Sequence, residues 1–265
     1  MVRTPDLCAM KLLLVHCSLL LPAIAFAQEP VSEVASALLG PRSVVKTNLV
    51  GIALLSVNAN YEYKVGPSTS VGLLAGYKVE STFTLDAIGN IDEEELTYTG
   101  EISPKGTFVN PYFRFYPTGG LTGFYVEGFL RYYNYSYLVP YDYEKNGSTI
   151  RANLDGTADG VGGGVALGGQ FALAPRLYLD LFAGLGIANG NMHVETNDPN
   201  LDAEDYAKIA RTIEEYAATA DVRISFLGNT LDGLVAGSND NSAWADIEGE
   251  LFPIVRTGVC IGWAF

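Results

Sequence analysis

Few residues of this sequence have the types and spacing that catalysis or metal binding require. Without the first 27 residues, which read as a signal peptide, one histidine (His193) and one cysteine (Cys260) remain. One cysteine cannot form an internal disulfide, and one histidine without a cysteine partner excludes the usual zinc sites. Glu195 follows two residues after His193 and could serve with it in a Ser-His-Glu relay, but no serine on the same strand completes it. The ordinary interpretation is a solvated histidine at a rim.

Three further motifs are weak. The glycines of residues 160–164 open a strand rather than a helix, so no helix N-terminus is available for a phosphate. Residues 197–202 have the composition of a calcium loop but lack the glycine and distal glutamate of an EF-hand. The acidic run at 92–95 is more typical of a solvated loop than of a metal site. We therefore expect no catalytic residue, no cofactor and no resident metal.

Composition favours an exported β protein. The 265 residues carry 16 Lys and Arg against 30 Asp and Glu, a net charge of -14, so a basic face for nucleic acid is not expected. The 29 glycines, 16 tyrosines and 12 phenylalanines are typical of a glycine- and aromatic-rich β protein. No segment after residue 27 is apolar over 18 residues, the length that a helical membrane span requires.

The N-terminal segment has the pattern of a secretory signal peptide. Met10-Lys11 precedes an apolar run, and Ala25-Phe26-Ala27 supplies an A-x-A cleavage site. We predict a signal peptide over residues 1–27 and a periplasmic segment over residues 28–43. The alternative is a buried N-terminal helix.

Strict two-residue alternation predicts eight antiparallel strands. The clearest is 177–188, in which Leu, Ala and Ile occupy one face and small, aromatic or acidic residues the other. The core runs are about ten residues or more, the length that a tilted strand needs to cross a bilayer. The predicted strands are 44–53, 57–65, 69–79, 107–116, 122–137, 158–173, 176–189 and 253–265.

The connections between these strands alternate in length. Tight turns are predicted at 66–68, 118–121 and 174–175, and long polar segments at 81–106, 140–157 and 190–252. Short turns on one side and long loops on the other are typical of outer-membrane barrels. The sequence thus predicts an all-β, eight-stranded, antiparallel up-and-down transmembrane β-barrel over residues 44–265, with both termini on the periplasmic side.

The two faces of the predicted strands differ in charge. The apolar face is almost uncharged, whereas the other face collects ionic residues that we expect to pair inside the barrel, because an unpaired buried charge is costly. A soluble lipocalin-like barrel is the alternative, and it would have an apolar interior. The predicted lumen network consists of Lys46, Glu62, Arg114, Glu127, Arg131 and Asp180.

The end of the chain carries a recognisable motif. The alternating residues Val259, Ile261 and Trp263 lead to a terminal Phe265, and this ending resembles the C-terminal assembly signal of outer-membrane barrels. The chain as a whole is similar to the OmpA/OmpX-like small barrels, and the motifs at 45–49, 70–72 and 76–77 resemble an uncharacterised domain-of-unknown-function family within that group. The resemblance implies an outer-membrane location and eight strands, and it implies no activity.

The segment 191–252 is longer than such barrels usually carry. Apolar residues at helical spacing predict a helix over 202–219 within this extracellular insertion, which precedes the last strand. The helix could act as a lid, lean on strand extensions or bind a partner. An alternative for residues 222–235 is two additional short strands.

The functional expectation is a non-enzymatic barrel of the outer membrane of a diderm bacterium, with a structural or surface-interaction role. A narrow pore, a lipid A-modifying enzyme acting through His193 and a soluble binding barrel are the alternatives. The expected partners are outer-membrane lipid and lipopolysaccharide, and the barrel-assembly machinery during insertion. An extracellular protein could bind the loops at 81–106, 140–157 and 191–252.

Overall fold

The computed structural model describes residues 41–84, 96–98, 101–219 and 234–265. All of them belong to the second of two compact units, Pro41–Phe265. The predicted signal peptide and most of the segment 28–43 lie outside the described residues, as do the acidic run 92–95 and residues 222–233.

Eight antiparallel strands form one closed, ring-like sheet, as predicted. Going around the ring, β6, β3, β2, β1, β11, β9, β8 and β7 are hydrogen-bonded in that order, and β7 pairs again with β6. The ring strands are β1 (Ser43–Asn48), β2 (Ser56–Lys64), β3 (Thr69–Lys78), β6 (Glu101–Phe115), β7 (Gly123–Lys145), β8 (Ser148–Ala172), β9 (Leu177–Thr196) and β11 (Ala243–Ala264).

Three short strands and two helices complete the described chain. The strands β4 (Phe83–Thr84), β5 (Leu96–Tyr98) and β10 (Leu234–Ser238) pair with β6, β7 and β11 respectively. The helices are α1 (Leu49–Ala53) and α2 (Ala203–Thr219). None of the described helices is both long and apolar enough to cross a membrane.

Following the paired residues once around the ring gives its stagger. The path from Val44 runs through Glu62, Gly72, Tyr112, Phe129, Gly164, Gly186 and Ile254. Val44 itself pairs with Ala264, ten residues beyond Ile254 on β11. With ~3.3 Å per residue and ~4.8 Å between strands, this stagger tilts the eight strands by about 40°.

Side chains alternate between an inner and an outer face along every ring strand. On β11 the outward Val255, Val259 and Ile261 are exposed, whereas the inward Ile254, Arg256 and Cys260 are buried. On each ring strand, one stretch of outward side chains contains no charged residue. We call these stretches together the outer belt. The outer belt comprises the outward residues of 45–47, 57–63, 71–77, 109–115, 124–132, 161–171, 177–187 and 251–263.

The outer belt ends at the same level on neighbouring strands. Moving away from the tight turns, the first polar outward residues on β6, β7 and β8 are Thr107, Asn134 and Asp159. Thr107 pairs with Asn134, and Asn134 pairs with Asp159. The change from apolar to polar therefore follows the hydrogen-bonded rows of the sheet. We call the end beyond this level the hairpin end, and the opposite end the turn end.

The segment 140–157 is a β-hairpin and not the predicted loop. Strands β7 and β8 pair without interruption from Gly123 with Gln170 to Lys145 with Ser148. The turn between them is Asn146-Gly147, and both residues have positive φ, of 54° and 75°. This dipeptide is typical of the two-residue turns whose twist matches that of paired strands.

The first predicted strand also differs, because β1 ends at Asn48 and residues 49–53 form α1. The Asn58 side chain accepts a hydrogen bond from the Asn48 N–H (2.7 Å) and donates one to the Asn48 carbonyl (3.1 Å). The Asn48 side chain in turn accepts from Val50 N–H, the cap of α1, and donates to the Thr257 carbonyl. Asparagine side chains thus replace the ladder that a continued strand would need.

The predicted loop 191–252 is likewise partly strand. Strand β9 continues to Thr196 and β11 begins at Ala243, with an irregularity in the register between Ile247 and Glu250. The helix α2 starts at Ala203, one residue after the predicted start, and ends at Thr219. Its buried side chains Tyr206, Ile209 and Ala210, together with Leu201 just before the helix, pack on the inner face of the hairpin end, against Tyr141, Tyr143, Ala152 and Ala243.

Candidate functional site

The interior of the ring holds a cluster of buried charges, which we call the ionic core. Lys46 on β1 reaches across the interior to carboxylates on β2 and β9. Its Nζ lies 2.6 Å from Glu62 Oε2, 2.6 Å from Asp180 Oδ2 and 2.8 Å from Gln170 Oε1. Each of the three ammonium hydrogens therefore has an acceptor within the protein. Lys46 needs these acceptors because it is only 2% exposed.

Arg114 on β6 binds all three carboxylates of the ionic core. Its Nε donates to Glu127 Oε2 at 2.8 Å, and its Nη1 donates to Glu62 Oε2 at 3.0 Å and Asp180 Oδ2 at 2.8 Å. The guanidinium carbon also lies 3.9 Å from the ring centroid of Tyr125, which is within the range of a cation–π contact.

Hydroxyl groups bond to the remaining oxygens of Glu62 and Asp180. Glu62 Oε1 accepts from Ser70 Oγ at 2.5 Å and from Tyr116 at 2.6 Å, and Asp180 Oδ1 accepts from Tyr125 at 2.6 Å. Charged hydrogen bonds of this kind are the stronger class in proteins. They offset part of the free energy that burial of the charges costs.

Arg256 on β11 completes the balance of charge. It pairs with Glu127 Oε1 and lies 4.8–5.3 Å from the ring centroids of Phe182, Phe129 and Tyr112. The ionic core thus holds three cations (Lys46, Arg114 and Arg256) and three anions (Glu62, Glu127 and Asp180). Its formal charge is zero when all six groups are ionised.

Five of the six residues predicted for the lumen network meet in this cluster, and Arg131 does not. Arg131 lies four residues beyond Glu127 on β7, donates to the Tyr135 hydroxyl at 3.1 Å and lies over the Phe108 ring. Within the described chain it has no carboxylate partner, and Arg256 holds the position nearest Glu127 instead. The alternation places both Arg131 and Arg256 on the inner face. Only the stagger of the ring determines which of the two arginines pairs with Glu127.

Tightly packed layers lie on both sides of the ionic core. Towards the turn end the buried residues are Val44, Tyr116, Leu121, Tyr125, Tyr178, Phe182, Cys260 and Ala264. Towards the hairpin end they are Tyr112, Phe129, Ala166, Ala188 and Ile254. Together with the buried ion pairs, these layers place side chains of little or no exposure across the interior of the ring.

His193 lies on the outer face of β9, beyond the outer belt. Its Nδ1 is 2.6 Å from Asp246 Oδ1 on β11, and its Nε2 is 3.9 Å from Glu195 Oε2. Within the described chain both ring nitrogens therefore face carboxylates rather than a serine or cysteine. Among these same residues, no group of three or more His, Cys, Asp or Glu side chains could hold a metal ion.

The start of α2 is fixed to the β7–β8 hairpin by a small polar cluster. Asp202 Oδ1 caps the N–H groups of Glu204 and Asp205, and Asp205 Oδ2 accepts from the Asp202 N–H at 2.9 Å. This reciprocal arrangement is a capping box. Lys145 bonds both carboxylates, and the Tyr143 hydroxyl donates to Asp205 Oδ1 at 3.0 Å. We call Tyr143, Lys145, Asp202 and Asp205 the helix latch.

The helix latch shifts the acidity of its members. Burial alone would raise the pKa of Asp205, but the hydrogen bonds from Lys145, the Asp202 backbone and Tyr143 bring it below the ordinary value. The hydrogen bond from Lys145 lowers the pKa of Asp202, and the two aspartates raise the pKa of Lys145. All three groups are therefore held in their charged forms over a wide pH range.

The residues of the predicted C-terminal signal all lie on the outer face. Val259 and Ile261 are 37% exposed, and Trp263 and Phe265 are more exposed still. Alternation also puts Gln170 and Arg256 on the inner face of their strands, but neither is part of the predicted lumen network. Sequence reasoning missed Ser70, Tyr116 and Tyr125, whose inward parity was a signal that could have found them.

A family described as "Protein of unknown function (DUF3575)" matches residues 24–227 of the chain. The comparison with curated proteins finds no match, and the comparison with solved structures finds none either.

Proposed function

The chain belongs to the DUF3575 family of proteins of unknown function, and from this premise we propose that it is a non-enzymatic β-barrel of the outer membrane of a diderm bacterium. Its role in this proposal is structural, or one of interaction at the cell surface. The observation that carries the proposal is that the apolar side chains of the outer belt face outward while the charges of the ionic core are buried. A soluble protein has the opposite arrangement. The similarity to OmpA/OmpX-like barrels is part of the same proposal.

The height of the outer belt supports a bilayer as its surroundings. On β8 and β9 the belt spans eleven residues each, 161–171 and 177–187. At ~3.3 Å per residue and a tilt of about 40°, eleven residues rise about 28 Å. The hydrocarbon core of a bilayer is about 30 Å thick, and the apolar band of outer-membrane barrels is about 25 Å tall.

The filled interior argues against the pore alternative. Ion pairs with 0% exposed side chains cross the ring at its centre, and apolar layers close it on both sides. We expect reconstituted protein to show no steady conductance in a planar lipid bilayer. Stable single-channel steps that disappear when the protein is omitted would favour the pore.

The enzyme alternative has less support. His193 bonds to Asp246, and within the described chain no serine or cysteine nucleophile contacts its ring. Mass spectrometry of lipid A from cells expressing the wild type or His193→Ala tests this alternative, and we expect identical profiles. A modification made by the wild type and lost in the variant would support the enzyme.

The hairpin end is the part that we place outside the cell. The tight turns near 66–68, 118–121 and 174–175 then face the periplasm, in keeping with barrels that have short periplasmic turns. The lipid and lipopolysaccharide of the membrane surround the belt, and the barrel-assembly machinery would insert the chain. Surface partners would meet the hairpin end.

Cysteine labelling in isolated membranes tests the bilayer assignment. Cys260 is buried, so it gives a low background. Val165→Cys lies in the outer belt, and Asn153→Cys lies on the same face of the same strand beyond it. We expect a water-soluble maleimide to label the cysteine at 153 and not the one at 165, until detergent and denaturant are added. Equal labelling of both in untreated membranes would contradict the proposal and favour a soluble barrel.

A further inference from the structure

The hairpin end carries a shallow hollow of about 440 Å³ between the tip of β9 and the β10–β11 turn. Every side chain that lines it is an amide, a carboxylate or a hydroxyl, so the hollow offers hydrogen-bond donors and acceptors and no cationic side chain. The lining residues are Glu195, Asn197, Asn239, Asp240, Asn241 and Ser242.

The wall of this hollow is held in place by the turn itself. The Asn239 side chain accepts hydrogen bonds from the backbone N–H groups of Asn241 at 2.8 Å and Ser242 at 2.9 Å. Asn239 also donates its backbone N–H to the Ser242 carbonyl at 2.9 Å. The turn is thereby closed on itself, and the exposed side chain of Asn241 projects from a fixed backbone.

An aromatic residue, Trp244, lies two residues after Ser242 of the lining. Trp244 on β11 is the cross-strand neighbour of Glu195 on one side and of Gly237 on the other. A Cβ added to Gly237 would lie 2.8 Å from Cζ2 and 2.9 Å from Cε2 of the indole, so the ring lies across the bare backbone of β10. The indole is half-buried, and a side chain at position 237 would displace it.

Two carboxylates lie on the same face as Trp244, namely Glu195, which is its paired residue on β9, and Asp246, which is two residues further along β11. His193 Nδ1 binds Asp246 at 2.6 Å, whereas its distance to Glu195 is 3.9 Å, too long for a hydrogen bond. Asp246 is therefore occupied, and Glu195 can accept hydrogen bonds from a molecule in the hollow.

We propose that Trp244 and the hollow beside it form a binding site for a neutral saccharide. The apolar C–H face of a sugar ring would stack on the indole, which combines a large apolar surface with a polar N–H. The sugar hydroxyls would bond to Glu195 and to the amide of Asn241. The two carboxylates of the hollow repel phosphorylated or uronic-acid sugars, because like charges at short range are unfavourable.

This inference is independent of the membrane assignment, since the site lies beyond the outer belt and is present whether or not lipid surrounds the ring. Failure of the cysteine labelling experiment would leave the saccharide site untouched. Failure of saccharide binding would leave the outer-membrane proposal untouched.

Tryptophan fluorescence tests the site directly, because the chain contains only two tryptophans, Trp244 and Trp263. In full-length protein carrying Trp263→Phe, the emission reports on Trp244 alone. We expect maltohexaose or chitotetraose to change the emission in a saturable manner. Tetragalacturonate, which has similar length but carries carboxylates, should bind at least tenfold more weakly.

Two variants in the Trp263→Phe background sharpen the test. Glu195→Gln and Asn241→Ala affect exposed side chains, and each should weaken binding by about tenfold, as expected for one lost hydrogen bond. Asn153→Ala, on the outer face of β8, should bind like its parent. Calorimetric titration of Trp244→Ala should show no binding. The proposal is wrong if neither neutral oligosaccharide gives a saturable change, or if the affinity in Glu195→Gln and Asn241→Ala equals that of the parent.

Discussion

The Lys46 ammonium lies 2.6 Å from the Asp180 carboxylate, although 134 positions separate the two residues in the chain. The contact joins the first ring strand to β9 across the interior, and both side chains have 0% exposure. Buried ions that lose a partner are strongly destabilised. The stability of the ring should therefore depend on keeping the ionic core neutral.

Asp180→Asn should lower the free energy of unfolding by about 3–5 kcal/mol, because it leaves a surplus buried cation. The double variant Lys46→Met/Asp180→Leu, which removes one charge of each sign, should cost less than the sum of the single changes Lys46→Met and Asp180→Leu. Urea unfolding of protein in lipid vesicles measures all four variants.

Lys105→Ala provides the matched control for this prediction. It breaks a pair with Glu80 whose side chains are 44% and 47% exposed, and such pairs contribute little. A loss equal to that of Asp180→Asn would contradict the importance of burial, as would strict additivity in the double variant.

A charge on the outer belt should be unfavourable only if lipid surrounds it. Val165→Arg, near the middle of the belt on β8, should destabilise the protein by about 2–4 kcal/mol in vesicles. Asn153→Arg, on the same face beyond the belt, should be nearly neutral. Equal effects of the two variants on the urea midpoint would count against the bilayer assignment.

Asn48→Ala should loosen the junction between β1 and β11. The variant loses the acceptor for the Val259 N–H (3.3 Å) and the donor to the Thr257 carbonyl (3.2 Å). Leaving such buried groups unpaired costs about 1–3 kcal/mol. Amide exchange measured by NMR should accelerate at Val259. Asn134→Ala, an exposed position on β7, serves as control, and unchanged exchange in Asn48→Ala would show that the side chain is dispensable.

The parts of the fold that follow from alternation could be read from the sequence. Alternation assigned Lys46, Glu62 and Asp180 to the inner face, and all three are buried. Alternation cannot give the stagger of the ring, so it could not choose Arg256 over Arg131 as the partner of Glu127. That choice depends on the pairing of distant strands.

Two local errors have a different origin. Polar composition suggested a loop at 140–157, but polar side chains are compatible with strands that project into water, and the Asn146-Gly147 turn was the stronger signal. The strand predicted to Ala53 ended at Asn48, because two asparagine side chains compete with the backbone for its hydrogen bonds.

The helix latch should depend on pH in a defined direction. The pKa of Asp205 is lowered in the folded state, so its stabilising effect is complete above its ordinary value of about 3.8 and is lost as the pH falls through the lowered value. Lys145, whose pKa is raised, contributes fully below about 10.5 and loses its effect as the pH rises through the raised value. We expect α2 to stay docked between these limits.

Electron–electron distance measurements between spin labels at Arg211 and Asn153 test the helix latch. The distance distribution should be narrow at neutral pH and broaden well below pH 3.8. Asp205→Ala should disfavour the docked helix by at least ~1 kcal/mol, because it removes the acceptor for the Asp202 N–H, Lys145 and Tyr143, and one such hydrogen bond contributes about that much. A distribution unchanged in acid and in the variant would mean that the apolar contacts of α2 suffice.

The meeting of β1 with β11 has a consequence for how the molecule is built. Residues 44–48 pair with residues 260–264, and Ser43 and Phe265 exchange backbone hydrogen bonds, so the ring is closed by a short joint between two segments that lie far apart in the chain. Contacts between such remote parts of a chain form slowly. Until β11 is in place, the other seven ring strands have two unpaired edges. During that time their apolar outer side chains must be kept from water and from other chains.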